Sequence, residues 1–184
     1  MTTSRRSFIH GTGLGLLSFT VAGSTAMLSP RDARAKGASF HVLNAEEVEL
    51  VEIFGEALAP GARENGIAHF IDQQLSVDAN DALLMIKAFN VRPPYADFYR
   101  TGLHALNDYS RRVHDKPFAA LDDEAMNALI GNISHANPQG WVGPPAPLFY
   151  LAVRSDAVDV VYGTVEGFER LGVPYMPHIL PPAR

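Results

Sequence analysis

Proline placement is the strongest constraint on what this chain can fold into. Breaks at Pro60-Gly61, Pro93-Pro94, Pro117 and Pro144-Pro145-Ala146-Pro147 cut its middle into pieces of helical length. Proline lacks an amide donor, and the residue before it avoids the α region. Between the breaks, apolar residues recur three and four apart, and no segment sustains a two-residue alternation, so strands are not expected. The pattern predicts an all-α fold, an irregular bundle of about six helices with a proline-rich extended C-terminal tail.

The first helix opens at Asn44, whose spacing to Glu47 is that of a capping box, and carries Val48, Val51, Phe54 and Leu58 on one face. A second is predicted from Gly66 to Leu75, with Ile67, Phe70, Ile71 and Leu75 inward and His69, Asp72 and Gln73 mostly away from that face. Asp78 is read as the cap of a third, running through Leu83, Leu84, Ile86 and Phe89. The fourth spans Tyr95 to His114, with Arg111 and Arg112 near its C-terminus, where positive charge suits the helix dipole. Asp122 caps the fifth, and the sixth runs from the Pro144–Pro147 stretch to Tyr162.

The N-terminus differs in kind. Ser4-Arg5-Arg6-Ser7-Phe8-Ile9 precedes a moderately apolar run from Gly11 to Leu28 and then Ala33-Arg34-Ala35. A basic region, an apolar region and a small-x-small motif in that order are the parts of an export signal. The paired arginines, with Phe8 two residues on, are those of the twin-arginine type. Arg5, Arg6 and Phe8 are therefore assigned to recognition by the twin-arginine translocase, and Ala33 and Ala35 to signal cleavage after Ala35. The expected organisation is a signal at 1–35 and a single helical domain at 36–184, with 171–184 as an extended partner-binding tail. The apolar run is short of the roughly 20 residues a membrane span needs, which makes a retained anchor the weaker alternative. The glycines at 11, 13 and 15 lack the preceding strand of a dinucleotide-binding turn.

Composition removes several functions. The chain has no cysteine, which excludes disulfides, thiolate metal sites, iron–sulfur ligation and a thiol nucleophile on this chain. Its formal net charge of −5 leaves no basic face for nucleic acid. His69 with Asp72, and His104 with Asp108, have spacings that share a helix face and define an alternative reading, an autonomous periplasmic helical protein with a His/Asp metal site or a ligand-binding role. No Gly-x-Ser-x-Gly elbow is present. No catalytic, cofactor-binding or metal-binding residue is assigned.

The tail is apolar yet cannot be regular helix, because Pro174, Pro177, Pro181 and Pro182 interrupt it. It either folds back over its own helices or lies along a partner chain. The partner reading takes Trp141, Pro174, Tyr175, Met176, Ile179 and Leu180 as interface residues.

Several stretches together carry a family resemblance. They are Ser4 to Ile9, the close of the first helix at Ala59-Pro60-Gly61-Ala62, and His69-Phe70-Ile71-Asp72-Gln73-Gln74-Leu75. Tyr99-Arg100-Thr101-Gly102-Leu103 leading to Leu106 and Tyr109-Ser110, Pro117-Phe118, Leu148-Phe149-Tyr150 and the ending Gly163 to Pro182 complete them. With these the chain resembles the gluconate 2-dehydrogenase subunit 3 family, the small subunits of membrane-associated, flavin-dependent sugar and sugar-acid dehydrogenases. The resemblance implies a non-catalytic subunit. Its expected partners are a large FAD-carrying dehydrogenase subunit of the glucose–methanol–choline type and, in many such complexes, a multihaem cytochrome c carrying haem c. The small chain would supply the export signal and stabilise the large one. The expected location is the periplasm, with attachment to the cytoplasmic membrane through the complex.

Overall fold

The computed structural model describes residues 16–174. Arg5, Arg6 and Phe8, expected to carry the export signal, and Tyr175, Met176, Ile179 and Leu180, expected at a partner interface, lie outside the described residues.

Helices dominate, as the periodicity predicts. In chain order they are α1 (Pro30–Ala35), α2 (Ala45–Leu58), α3 (Ile67–Ser76), α4 (Tyr95–His114), α5 (Asp123–His135), α6 (Ala146–Tyr162) and α7 (Val165–Arg170). Local chemistry explains the ends. The capping box of α2 is complete: Asn44 Oδ1 accepts from the Glu47 amide at 2.9 Å, and Glu47 Oε2 accepts from the Asn44 amide at 2.8 Å. Asp122 Oδ1 accepts from the Ala125 amide at the start of α5. Arg111, Arg112 and His114 occupy the last turn of α4.

Helix α6 is the hub, packing against α2, α3, α4, α5 and α7. A helix surrounded in this way is apolar nearly all round, and Phe149, Ala152, Val153, Ala157, Val160 and Val161 are all buried. Its Phe149 ring stacks on Phe54 at 5.6 Å and lies near Phe98 and Trp141. Helix α4 crosses α6 so closely at Gly102 that a Cβ there would fall 2.3 Å from Phe149 Cδ2. The caged Phe149 ring cannot retreat. Gly102→Ala is therefore expected to lower stability by about 1–3 kcal/mol, despite the better helix propensity of alanine. Urea denaturation of the two chains followed by circular dichroism checks this.

Three expectations need correction. The first is the absence of strands: Leu17–Val21 (β1) and Ser24–Leu28 (β2) form an antiparallel hairpin with Leu17 opposite Leu28. Its two-residue turn, Ala22-Gly23, has positive φ at both positions, the geometry that matches strand twist. The second concerns the stretch after Asp78. Instead of a helix it is a turn closed by Asp78, followed by a short 3-10 segment at Met85–Phe89. Leu83 and Phe89, read as core, are 55% and 44% exposed. The third is the polar face of α3. His69, Asp72, Gln73 and Gln74 are all buried, because α1, β1, α2 and α6 cover this helix from several sides.

Candidate functional site

The polar residues of the two most distinctive sequence stretches converge on one loop. Asp72, on α3, accepts three backbone hydrogen bonds from residues 41–43: His41 to Oδ2, and Val42 and Leu43 to Oδ1, each 2.8 Å. Arg100, on α4, donates to the Val42 carbonyl and pairs through Nε with Glu47 Oε1 at 3.2 Å. Helices α2, α3 and α4 thus hold the loop before α2 from three directions. Gln74 acts similarly on the far side, its Oε1 accepting from the Leu83 amide at 2.6 Å. Asp72, Arg100 and Gln74 each bond backbone of a loop, where buried polar groups must be satisfied.

A second polar pair lies inside the core. The Tyr99 hydroxyl donates to Asp156 Oδ2 at 2.6 Å, linking α4 to α6. Both residues are buried. Burial pushes the Asp156 carboxyl up to about 7; the charge of Asp159 adds to the rise, and the bond from Tyr99 opposes it. The same burial, with the Asp156 charge, holds the Tyr99 hydroxyl well above its usual value. Asp156 Oδ1 has no well-formed hydrogen bond, and the Met85 backbone amide gives the carboxyl only weak help. The periodicity of α6 carried no signal for this pair.

His69 lies beneath the N-terminal segment. Its Nε2 faces the Ala38 carbonyl at 3.2 Å, which assigns the proton to Nε2, and its ring contacts Phe40 and the edge of Phe19. Burial lowers its pKa. The metal reading based on His69, Asp72, His104 and Asp108 does not survive this geometry. His69 and Asp72 are buried with the partners just named, whereas His104 and Asp108 are exposed on α4. Among the described residues no group of three or more His, Asp or Glu side chains is placed to hold an ion.

Of the expected interface residues, Trp141 is half-buried and belongs to the chain's own packing. Its Nε1 donates to the Pro144 carbonyl at 2.7 Å, and its ring lies against Tyr109 and Phe149. Its neighbour Val142 is 83% exposed. Pro174 is exposed at the end of the described tail, after α7. Leu171 and Val173, the first apolar residues of that tail, are also exposed. Sequence reasoning missed a further exposed apolar set, Leu83, Met85 and Phe89, around the 3-10 segment. No helix among the described residues is long and apolar enough to cross a membrane.

The sequence model of the family described as gluconate 2-dehydrogenase subunit 3 matches residues 45–179, from the first residue of α2 into the proline-rich tail. The chain belongs to the gluconate 2-dehydrogenase subunit 3 family. Membership makes it a subunit of a multi-subunit dehydrogenase. The polar clasp of Asp72, Glu47 and Arg100 lies within the matched region of this subunit 3 chain, whereas the hairpin and α1 lie outside it. No curated protein and no solved structure matches the chain closely enough to set beside it.

Proposed function

We propose that this subunit is the non-catalytic escort and stabiliser of a larger FAD-dependent dehydrogenase subunit of the glucose–methanol–choline type, accompanying it through the twin-arginine translocase into the periplasm. The substrate class is a sugar, sugar acid or alcohol oxidised on the large subunit, and a multihaem cytochrome c is the natural third component. The observation that carries the reading is the family match, which runs through the helical domain and on to residue 179 of the tail.

Two structural features support it. The conspicuous polar residues Asp72, Glu47, Arg100 and Gln74 are engaged with backbone or with each other, so they are not arranged around a reaction centre. Exposed apolar side chains gather at Leu83, Met85 and Phe89 and again at Leu171 and Val173, which suits a chain with a protein partner.

The decisive experiment is purification of the C-terminally tagged protein from its native host, with mass spectrometry and an absorption spectrum of the eluate. A co-eluting chain with flavin bands is expected. A colourless, folded, solitary chain would overturn the subunit assignment. Replacing Arg5 and Arg6 with lysine is expected to trap both subunits in the cytoplasm, as read by cell fractionation and immunoblotting. Normal periplasmic flavoprotein in that variant would refute the escort role. Truncation before Pro174 is expected to lower flavoprotein recovery by roughly tenfold, the effect of losing one strong apolar anchor. Unchanged recovery would return the tail to a role within its own fold.

A further inference from the structure

Residues 17–28 of the apolar run are built into the folded protein. Leu17, Phe19, Leu28 and Ala33 are buried among the core residues. The Ser39 amide donates to the Thr20 carbonyl at 2.9 Å, and the Phe19 ring meets His69 edge-on at 6.4 Å. Helix α1 sits on the start of α3 so closely that a Cβ at position 66 would fall 2.2 Å from the Pro30 carbonyl oxygen. Gly66 meets this approach and also adopts φ +79°, so no other residue fits there without strain. Two ion pairs add to the contact, Arg34 with Glu52 at 3.4 Å and Arg31 with Glu64 at 3.0 Å.

The expected scissile bond follows Ala35. A peptidase takes its substrate as an extended strand, with the small side chains before the bond lodged in pockets. Here Ala33 is fully buried, and Ala35 is the last residue of α1. The bond itself is enclosed by three backbone hydrogen bonds: Lys36 to the Asp32 carbonyl, Gly37 to Arg34 and Ala38 to Ala33, at 2.9–3.1 Å. Cutting requires α1 to unwind and Ala33 to leave the core, and α1 packs against both strands of the hairpin. Because the twin-arginine route carries folded proteins, the chain meets the peptidase with these contacts already made. The Ser4–Ile9 motif lies ahead of the hairpin, so recognition of Arg5 and Arg6 does not require the hairpin to open.

We infer that residues Leu17–Ala35 are not removed on export: they remain in the working subunit as a structural element that covers the His69 face of α3. The inference rests on the export reading above. It also limits the partner surface. The face formed by Phe40 and His69 is occupied by the chain's own hairpin, which leaves the exposed apolar groups around Leu83 and Leu171 for a partner.

The test is the intact mass and N-terminal sequence of the tagged protein recovered from the periplasmic and membrane fractions of its native host. An N-terminus at or before Leu17 is expected. One at Lys36, or anywhere within Ser18–Ala35, overturns retention while leaving export standing. If the protein is found only in the cytoplasm, the export reading fails, and a second measurement decides retention on its own. Purified full-length chain is incubated with purified bacterial signal peptidase in detergent, beside a Gly66→Val chain, whose side chain would overlap the Pro30 carbonyl and so lift α1 from α3. Cleavage of a locally opened segment follows the population of the open form, so the native chain is expected to be cut at least about tenfold more slowly than the variant. Cutting of the native chain after Ala35 at the variant's rate overturns the inference. If Gly66→Val does not fold, the urea-unfolded native chain, diluted directly into peptidase, supplies the reference rate.

Discussion

Asp72→Ala is expected to be the most damaging single change in the helical domain, lowering stability by about 3–5 kcal/mol. The carboxylate accepts from three consecutive amides of residues 41–43, and none of these amides has a second acceptor among the described residues. An orphaned buried donor costs roughly 1–3 kcal/mol, and at least the Leu43 amide is buried outright. Such a loss is a large part of the stability of an ordinary domain. Asp72→Asn should cost about half as much. Its remaining oxygen can keep the Val42 and Leu43 bonds, while its amide would oppose the His41 N–H as donor against donor. Urea midpoints of the three full-length chains check the order. Equal midpoints for native and Ala chains would show that water serves the loop as well as the carboxylate does. Since the same loop carries Asn44, the Ala variant is also expected to fray the start of α2.

The second large effect depends on pH. The Asp156 carboxyl titrates near 7 in the folded chain, because it is buried and only partly compensated by Tyr99. In the unfolded chain it titrates near the usual carboxylate value. A group whose folded pKa is raised binds more protons in the native state, so its contribution to stability is fullest below about pH 4. That contribution is lost as pH rises through 7 and is constant above. The difference of about three pH units corresponds to a change on the order of 4 kcal/mol across the window. Asp156→Asn keeps an acceptor for the Tyr99 hydroxyl but cannot ionise. Its urea midpoint is expected to fall much less between pH 5 and 8 than that of the native chain, and to exceed it at pH 8. Parallel pH profiles would exclude Asp156 as the titrating group. Tyr99→Phe removes the hydroxyl that favours the ionised form, and should steepen the decline.

What could be read from the residues differs in kind from what could not. Helices α2, α4, α5 and α6 were legible because their signals are local: the Asn44–Glu47 box, the cap at Asp122, the prolines before Tyr95 and Ala146, and an apolar period within each piece. The hairpin left only a faint trace, the five-residue alternation Leu17-Ser18-Phe19-Thr20-Val21 followed by Ala22-Gly23. The same residues were read as the apolar part of an expected export signal, and apolarity by itself does not distinguish a strand from a helix. The segment after Asp78 has enough apolar residues for a helix. Gln74 and Lys87, however, bind its backbone in a turn, Lys87 Nζ donating to the Ala82 carbonyl at 2.6 Å.

By itself, then, the sequence determined the helical class, the positions of most helix ends, the absence of thiol chemistry and the family to which the chain belongs. Each of these depends on composition or on neighbours a few residues apart. Only the tertiary structure decided that His69 and Asp72 face inward, that Asp72 and Arg100 serve the 41–43 loop, and that Asp156 meets Tyr99. It also decided that Leu17–Ala35 pack on the domain. All of these join residues between 18 and 58 positions apart, and at such separations a side chain's role is set by which surfaces the packing of α6 and the hairpin brings over it.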